Sequence, residues 1–454
     1  MTPDSAATSP RQGRDATDPY RRRLETLDSE TVARVRARFV ELLRREHAVD
    51  LDACVHCGLC TGSCHYALVD ADPQNSPAFK VHLVAQAFEH ERAWPRLPAR
   101  WTGGRRLDAA LVRDWVDVLF GRCTMCGRCT VNCVVGIDVP ALARAARGAL
   151  AAAGLVPPEL QATVDAAVNT GNNMGISQDD WVGTVEWLEG ELRAEVNDPT
   201  ARLPLDEPDA DFLYVLNPRE PKFFPLSIVA AGAIFHQARV RWTLSRDFFD
   251  VTNYGLFSGD VAAASTIARR LVETTRRLGA RRLVLGECGH GFNANRWLAP
   301  EWLGEAPGFE VRSVLEIVAQ FIREDRIKLD PARISKLVTL HDPCNLVRAG
   351  GVVEPQREIL ARAVERWVEM TPNRMQNFCC GGGGGQLSMT RFARRRLQAG
   401  KLKAEQIRAT GARIVATPCH NCIDQLSELN KEYQLGVEVK TVCEIVASAL
   451  VHRS

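Results

Sequence analysis

Residues 54–64 read CVHCGLCTGSC and residues 123–133 read CTMCGRCTVNC, so the same cysteine spacing occurs twice. Three thiolates separated by two residues each fit in one tight loop and can hold three irons of a [4Fe–4S] cubane. The fourth cysteine of such a run ligates the other cluster, so the two runs form one interlocked unit. The spacing therefore predicts two cubane clusters, held by Cys54, Cys57, Cys60 and Cys133 and by Cys123, Cys126, Cys129 and Cys64.

Zinc is the alternative ligand for these cysteines. Structural zinc sites usually combine two separated C-x-x-C pairs, whereas each run here places three cysteines within seven residues. The repeat favours iron–sulfur clusters over a zinc-bearing structural scaffold. A scaffold within a larger assembly nevertheless stays open as a hypothesis from a different class.

A third set of five cysteines lies late in the chain, at Cys344, Cys379, Cys380, Cys419 and Cys422. Consecutive cysteines point in different directions in regular secondary structure, so Cys379 and Cys380 can serve one cluster only if the backbone bends or the cluster is large. The glycines at 381–385 permit positive φ and bring amide N–H groups close to inorganic sulfide. This context favours a cluster loop over a flexible linker.

Composition limits the functional classes. The chain has 454 residues, enough for two to four domains, with 46% apolar and 25% charged residues, as in an ordinary soluble protein. A formal charge of +2 gives no case for nucleic acid. Thirteen of the fifteen cysteines cluster at metal-binding spacing, which indicates a reducing cytoplasm. The longest apolar stretch, 225–235, is too short to span a membrane, so we expect any membrane attachment to depend on partner subunits.

The first half of the sequence has helical periodicity. Val32, Val35 and Phe39 recur at helical spacing before the first cysteine run, and 79–88, 107–120 and 140–153 also predict helices. We therefore expect a disordered arm over residues 1–30 and a helical ferredoxin domain over 31–200. Ser177 predicts the start of a helix that ends near residue 196, and three prolines indicate a linker over 197–208.

The second half alternates between short apolar runs and helical stretches. The runs at 212–216, 283–285, 337–340 and 414–416, with helices such as 262–278 and 356–368, predict α/β units on parallel sheets. Cys288, Cys344 and Cys419 each follow such a run. Since α/β sheets place their sites at the carboxyl ends of strands, these cysteines mark candidate sites.

A weak internal repeat divides this half. LVLGECGHGF (283–292) resembles IVATPCHNCI (414–423), but the first copy has Gly291 where the second has Cys422. In place of the Cys379–Cys380–Gly381 signature it offers only Asn253, Tyr254 and Gly255. We predict a degenerate α/β domain over 209–330 and a complete site in 331–454. Cys288 and His290 could keep a vestigial metal site, but two ligands argue against one.

The order C…CCG…C-x-x-C resembles the CCG domain of heterodisulfide reductase catalytic subunits. Two cubane motifs followed by two CCG-type domains strengthen the resemblance, and CVHCGLCTGSCHY and GNNMGISQDDW most resemble the DsrK-type subunit of a membrane complex of sulfur metabolism. The resemblance implies a multidomain chain: an α-helical dicluster ferredoxin domain, then two α/β CCG-type domains, the first degenerate. It also implies a non-cubane [4Fe–4S] cluster at the catalytic residues Cys344, Cys379, Cys380, Cys419 and Cys422.

The same resemblance implies an oxidoreductase that works with partners. Electrons from a haem-bearing, quinol-oxidising membrane subunit would pass through the two cubanes and reduce a disulfide or trisulfide on a small cysteine-containing protein; reverse flow is equally allowed. The alternative is a non-catalytic electron-transfer subunit of a glycolate- or lactate-type flavoprotein oxidase complex. His341 and His420 lie within three residues of proposed ligands, and we expect both to hydrogen bond around the cluster. We expect Cys443 to be buried in a helix, and Asn172 and Asn173 to lie in a surface loop.

Overall fold

Helices make up the whole first part of the chain. In a computed structural model, residues 18–92 and 104–451 are described. Within those ranges no helix combines the length and the apolar character needed to cross a bilayer. The helices of this part are α1 (Pro19–Glu25), α2 (Ser29–Leu42), α3 (Arg45–Ala53), α4 (His65–Val69), α5 (Pro77–Arg92), α6 (Ala109–Trp115), α7 (Arg128–Val131), α8 (Val139–Ala152), α9 (Pro158–Thr170) and α10 (Gln178–Val196).

The predicted disordered arm is wrong where it can be compared with the structure. Residues 1–17 lie outside the described residues, but α1 follows immediately, with the Asp18 side chain accepting the Tyr20 N–H. Tyr20 is buried, and its hydroxyl donates to the Leu155 carbonyl at 2.7 Å. One buried aromatic residue and one N-cap are enough to attach this segment to the helical core.

The second part consists of two four-stranded parallel sheets. In the first, the elements are β1 (Phe212–Val215), α11 (Arg219–Phe223), α12 (Leu226–Gln237), β2 (Trp242–Thr243), α13 (Gly255–Ser258), α14 (Val261–Arg277), β3 (Arg282–Leu285), α15 (Gly289–Phe292), α16 (Ala299–Leu303), β4 (Glu310–Ser313) and α17 (Val314–Arg323). In the second they are β5 (Val338–Leu340), α18 (Cys344–Val347), α19 (Pro355–Ala363), β6 (Trp367–Glu369), α20 (Ala393–Ala399), α21 (Lys401–Thr410), β7 (Ile414–Ala416), α22 (His420–Glu432), β8 (Glu438–Lys440) and α23 (Val442–Ala449).

The two sheets have the same strand order. The first runs β2-β1-β3-β4 and the second β6-β5-β7-β8, with every pair parallel. The alternation in the sequence therefore predicted both sheets correctly. One predicted helix, 356–368, is wrong at its end: α19 stops at Ala363, Val364 is extended, and Trp367 pairs with Val338 as the start of β6.

One hydrophobic core joins the two sheets and also takes in α10. The Trp181 indole stacks on Phe249 at 4.2 Å between ring centroids and donates to the Ser245 carbonyl at 2.9 Å. The helix thus packs with the first sheet, although the sequence had placed it in the ferredoxin domain of 31–200. The predicted linker over 197–208 likewise packs inward, because Ala201 and Leu203 are buried in the same core.

Candidate metal centres

The two cysteine runs adopt the same backbone conformation. His56 and Met125, the second residue of each C-x-x-C spacer, have φ of 51° and 52°, and the glycines after the second cysteine, Gly58 and Gly127, have φ of 77° and 73°. Two left-handed residues in each loop turn the chain back on itself. The identical positions show that the repeat in the sequence is also a repeat in structure.

The eight cysteines of these runs line two adjacent cavities. Cys54, Cys57, Cys60 and Cys133 border one of about 110 Å³, and Cys64, Cys123, Cys126 and Cys129 border the other. The first cavity takes three cysteines from the first run together with Cys133 and also Cys129 of the second run, and the second takes three from the second run and Cys64 from the first. This lining is compatible with the ligand sets predicted from the spacing. Cys57 is exposed in the first cavity, whereas Cys64 and Cys123 are buried in the second.

A buried cation lies against the second cavity. The Lys80 ammonium is 3.6 Å from the Cys64 sulfur and 2.9 Å from the Asn75 carbonyl, and Lys80 is only 3% exposed. Burial alone would lower the pKa of Lys80, but the neighbouring Cys64 and Cys123 thiolates raise it above its usual range. An ammonium without a carboxylate partner in this position fits a cavity that holds an anionic metal–thiolate group.

The third cysteine set converges at the edge of the second sheet. Cys344 follows β5 at the start of α18, and Cys419 follows β7 as the N-cap of α22, with Cys422 in the first turn of that helix. β5 and β7 are neighbouring parallel strands, so their carboxyl ends bring these cysteines together. All five thiols are buried in one cluster, which also includes Met370, and Cys126 packs against it.

The adjacent cysteines Cys379 and Cys380 contact different cysteines of the third site. The Cys379 sulfur is 4.0 Å from that of Cys344, and the Cys380 sulfur is 3.5 Å from that of Cys422. Gly381, with φ of 104°, turns the backbone directly after the pair and donates its N–H to the Cys379 sulfur at 3.4 Å. The bend required for two adjacent cysteines to serve one site is therefore present.

Three of the five third-site thiols, those of Cys379, Cys380 and Cys419, have a lowered pKa. Hydrogen bonding to these neighbours raises the pKa of Cys344 and of Cys422 well above the usual range of a thiol. Hydrogen bonds from the Cys126 and Cys344 thiols lower the pKa of Cys379 to about 6. A hydrogen bond from Cys422 lowers the pKa of Cys419 to about 7. Because metals bind the thiolate and not the thiol, this donor set fits a soft metal or an iron–sulfur cluster.

The glycines at 381–385 pack closely between the second and third sites. A Cβ on Gly384 would lie 2.7 Å from the Thr124 Cα, and one on Gly383 would lie 3.9 Å from the Cys344 sulfur. Arg147, fully buried, fixes this segment by donating to the carbonyls of Gly384 and Cys123 at 2.9 and 2.8 Å. The glycine run therefore packs as part of the cluster loop, in line with the interpretation of the sequence.

The second and third sites are in direct contact. Cys126 of the second cavity packs against the buried cluster that contains Cys379 and the other third-site thiols. Arg348, four residues after Cys344, donates to the carbonyls of Cys126 at 2.8 Å and Asn377 at 2.6 Å, so it holds the two loops together. The exposed first cavity is thus the outer one, and the second lies between it and the third site.

The two histidines beside the third site differ. His420 lies 3.3 Å from the Glu220 carboxylate; burial lowers the pKa of His420, but Glu220 outweighs this effect and raises it to about 9. His341 has a ring nitrogen within 4.8 Å of the Cys380 and Cys422 sulfurs, yet neither of its ring nitrogens has a hydrogen-bond partner among the described residues. Burial holds the pKa of His341 well below its usual range, so its imidazole is neutral and has a nitrogen available to the site.

Several functional neighbours were not found from the sequence. Lys80, Arg147 and Arg348 had no motif, because the burial of a cation is visible only in the tertiary structure. The loop of Asn172 and Asn173, predicted to be on the surface, is buried: Asn173 donates its N–H to Asp250 at 2.8 Å. Cys443 is buried in α23, as predicted.

The first sheet lacks a third-site equivalent among the described residues. Cys288 follows β3 and is buried, with its sulfur 3.4 Å from His290 Nδ1 and 3.8 Å from Asn217 Nδ2. Cys288 is the only cysteine in residues 209–330. The pair of Cys288 and His290 is hydrogen-bonded and buried, but two ligands do not make a metal site.

Comparison with known proteins agrees with this geometry. A model of the 4Fe-4S dicluster domain matches residues 50–137, and a model of the cysteine-rich domain called CCG matches residues 338–427. The Hdr-like menaquinol oxidoreductase iron-sulfur subunit of Archaeoglobus profundus is 27% identical over 91% of this chain and 82% of its own length. These matches make the chain similar to the heterodisulfide reductase family of CCG-domain iron–sulfur proteins.

Proteins with other named functions are also similar to most of this chain. A subunit of the dihydromethanophenazine:CoB–CoM heterodisulfide reductase of Methanosarcina barkeri is 26% identical over 88% of this chain and 94% of its own length. The EtfAB:quinone oxidoreductase of Syntrophomonas wolfei is 23% identical over 88% of this chain but only 58% of its own length. These similarities support an iron–sulfur oxidoreductase subunit of the heterodisulfide reductase type.

Proposed function

We propose that this chain moves electrons between a haem-bearing, quinol-oxidising membrane subunit and a disulfide or trisulfide on a small cysteine-containing protein of sulfur metabolism. The observation that carries the proposal is the convergence of five buried thiols, with contacts at 4.0 and 3.5 Å, next to the second cubane cavity. Cys344, Cys379, Cys380, Cys419 and Cys422 are its catalytic residues and the ligands of a non-cubane [4Fe–4S] cluster. The eight earlier cysteines hold two cubane clusters.

Charged and polar residues around the clusters have separate roles in this proposal. When bound, the clusters supply one-electron transfer and, at the third site, affinity for a substrate sulfur. Lys80 and Arg147 place positive charge beside the second cavity, which favours the more negative, reduced state there. The neutral His341 imidazole lies beside Cys380 and Cys422, where it can hydrogen bond to a group bound at the third site.

The surface around the first cavity is the proposed docking site for the membrane partner. Val55 is 80% exposed and Val134 is 81% exposed, and Leu59 and Val135 extend this apolar patch around the exposed Cys57. Exposed apolar patches mark protein interaction sites, and this one lies over the outermost of the three sites. The chain would thereby be cytoplasmic and attached to the membrane through its partner.

A charge placed in the patch tests this docking site. Val55→Asp and Val134→Asp should each abolish most of the quinol-dependent reduction of the chain by membranes that contain the partner. Val40→Asp, an equally simple change at an exposed valine of α2, should leave it unchanged. Equal rates in all three variants would remove the patch from the proposal.

The degenerate CCG identity of residues 209–330 also belongs to this proposal. It is supported by the shared strand order of the two sheets and by Cys288 and Cys419, which follow the corresponding strands β3 and β7. In this view the first sheet keeps the architecture and has lost the ligands.

A purely electron-transferring role is the second candidate, favoured by the similarity to the EtfAB:quinone oxidoreductase and to a probable membrane-anchored ferredoxin of Chromohalobacter salexigens. Titration of the oxidised, anaerobic protein with thiols discriminates the two. A thiol-dependent change in the EPR spectrum, absent in Cys380→Ser, supports catalysis at the third site. An unchanged spectrum supports the electron-transfer role.

A further inference from the structure

A cleft of about 350 Å³ opens where the ferredoxin loops meet both sheets. Its wall combines residues of the second cubane cavity, of α8, of the segment after α15, and of α18 and its C-terminal end. The residues that matter here are Cys126, Arg144, Asn293, Trp297, Asn345 and Arg348. A cleft of this volume is in the range of small-ligand sites.

The inner end of the cleft lies next to the third site, although none of the five third-site cysteines lines it. Asn345 donates through Nδ2 to the Cys344 sulfur at 3.7 Å, and Cys126 packs against the buried cluster of the third-site thiols. A molecule that occupies the cleft therefore has its inner end next to residues that touch the catalytic cysteines.

Two guanidinium groups line the cleft without a carboxylate partner. The first, Arg348, donates only to carbonyls, those of Cys126, Met375 and Asn377, and its Nη2 is buried without a partner in the described structure. Its positive charge is therefore not neutralised by a protein carboxylate.

The second, Arg144, is more unusual. Within residues 18–92 and 104–451 its side chain makes no hydrogen bond and no ion pair, although burial lowers the pKa of the guanidinium. Two carboxylates lie near enough to raise its pKa but do not bond to it: Asp138, which also lines the cleft, accepts the Ala141 N–H at 3.1 Å, and Glu301 pairs with Arg44. A partly buried arginine without a partner is costly unless an anion binds it.

An aromatic ring completes the wall. Trp297 is 53% exposed, and its indole N–H is fixed on the Gly350 carbonyl at 3.1 Å, so the ring is held in place while a large part of it faces solvent. It belongs to a π-helical turn, Asn293–Leu298, a local irregularity that is frequent at functional sites.

We propose that this cleft binds the substrate of the third site and selects a thiol or disulfide that carries a carboxylate. The carboxylate binds Arg144, the carbon chain lies against Trp297, and the sulfur points inward past Asn345. The inference rests on the proposed function, because it names the substrate class of the same catalytic site. The carboxylate can belong to a small thiol or to the free C-terminus of a protein that ends in cysteine.

Two probes of equal length test the selection: 6-mercaptohexanoate and 6-mercaptohexan-1-ol, which differ only in the carboxylate. Equilibrium dialysis against the anaerobic, cluster-loaded protein measures their Kd. We expect the carboxylate probe to bind about tenfold more tightly in the wild type. Arg144→Gln should reduce this preference to near one without changing the Kd of the alcohol, and Arg144→Lys should keep part of it. A preference that persists in Arg144→Gln overturns the inference.

A matched control and a second readout separate the possible failures. Arg366→Gln changes an exposed arginine that does not line the cleft and should keep the full preference. Visible spectra and iron content verify that each variant is folded and loaded. EPR then tests the proposed function separately. If dialysis shows the preference for the carboxylate but no thiol alters the EPR spectrum, binding in the cleft is supported and catalysis at the third site is contradicted.

A short peptide that ends in cysteine, with a free or an amidated C-terminus, distinguishes the two sources of the carboxylate. Tighter binding of the free peptide than of 6-mercaptohexanoate, lost on amidation and in Arg144→Gln, identifies a protein tail. Tighter binding of the small thiol identifies a small molecule. If neither the peptide nor 6-mercaptohexanoate binds more weakly to Arg144→Gln than to the wild type, the proposed site is wrong.

Discussion

The loop that carries Cys344 is anchored by a buried ion pair, and breaking that pair should destabilise the third site strongly. Arg357 Nη1 and Nη2 lie 3.0 and 2.8 Å from the two oxygens of Asp342, two residues before Cys344. The side chains of Arg357 and Asp342 are 5% and 1% exposed. Arg357→Met leaves the Asp342 carboxylate buried without its counter-charge, although it still accepts the Arg374 N–H, and it also removes the ion pair of Arg357 with Glu369. Together these changes cost about 3–5 kcal/mol.

Urea unfolding of the cluster-loaded protein measures this cost. With an m-value of about 1.5 kcal/mol/M, the midpoint should fall by about 2–3 M, followed by tryptophan fluorescence and by cluster absorbance together. The double variant Arg357→Met/Asp342→Asn should recover part of the loss, because the unpaired charge is gone. Arg366→Met, at an exposed arginine bonded only to the Ser335 carbonyl, should change stability by less than about 0.5 kcal/mol. A loss below about 1 kcal/mol in Arg357→Met would refute the reasoning.

Two further predictions concern single buried groups. Lys80→Met should lower the midpoint potential of the second cubane in an EPR-monitored redox titration. Removing a charge 3.6 Å from the Cys64 sulfur corresponds to at most ~5 kcal/mol, or ~200 mV for one electron, at an effective dielectric constant near 20; an unchanged potential would contradict the role of Lys80. Burial raises the pKa of Asp250 to about 7. Since the folded pKa lies above the unfolded value, stability should fall as pH rises from about 4 through 7, and Asp250→Asn should flatten that part of the pH profile and be more stable at pH 8 by about 1–4 kcal/mol. Parallel profiles of the two proteins would show that Asp250 is not the group responsible.

The sequence predicted the parts of the site that depend on local spacing. The repeated run from Cys54 and from Cys123 indicated the pairing of ligands across two cavities, because a three-cysteine loop has room for only three ligands of one cluster. The strand-end positions of Cys344 and Cys419 indicated their convergence, because β5 and β7 are parallel neighbours.

What could not be predicted from the sequence depends on tertiary burial. Arg144, Arg348 and Lys80 look like ordinary surface cations in a helical pattern, and only the packed structure shows that they lie in or beside the sites. The helix α10 follows the ferredoxin part in sequence, but the stacking of Trp181 on Phe249 assigns it to the first sheet. The helix predicted over 356–368 was wrong because pairing of Trp367 with Val338 outweighs the local helical pattern.

The iron content of the anaerobic protein tests the central claim most directly. Three clusters of four irons require about twelve irons per chain. Cys380→Ser, which removes one thiol of the third site, should lower the content to about eight and leave the EPR signals of the two cubanes in place. Cys443→Ser, a change at a buried cysteine of α23 outside all three sets, should keep about twelve. About eight irons in the wild type, equal to Cys380→Ser, would contradict the third cluster and the catalysis proposed there.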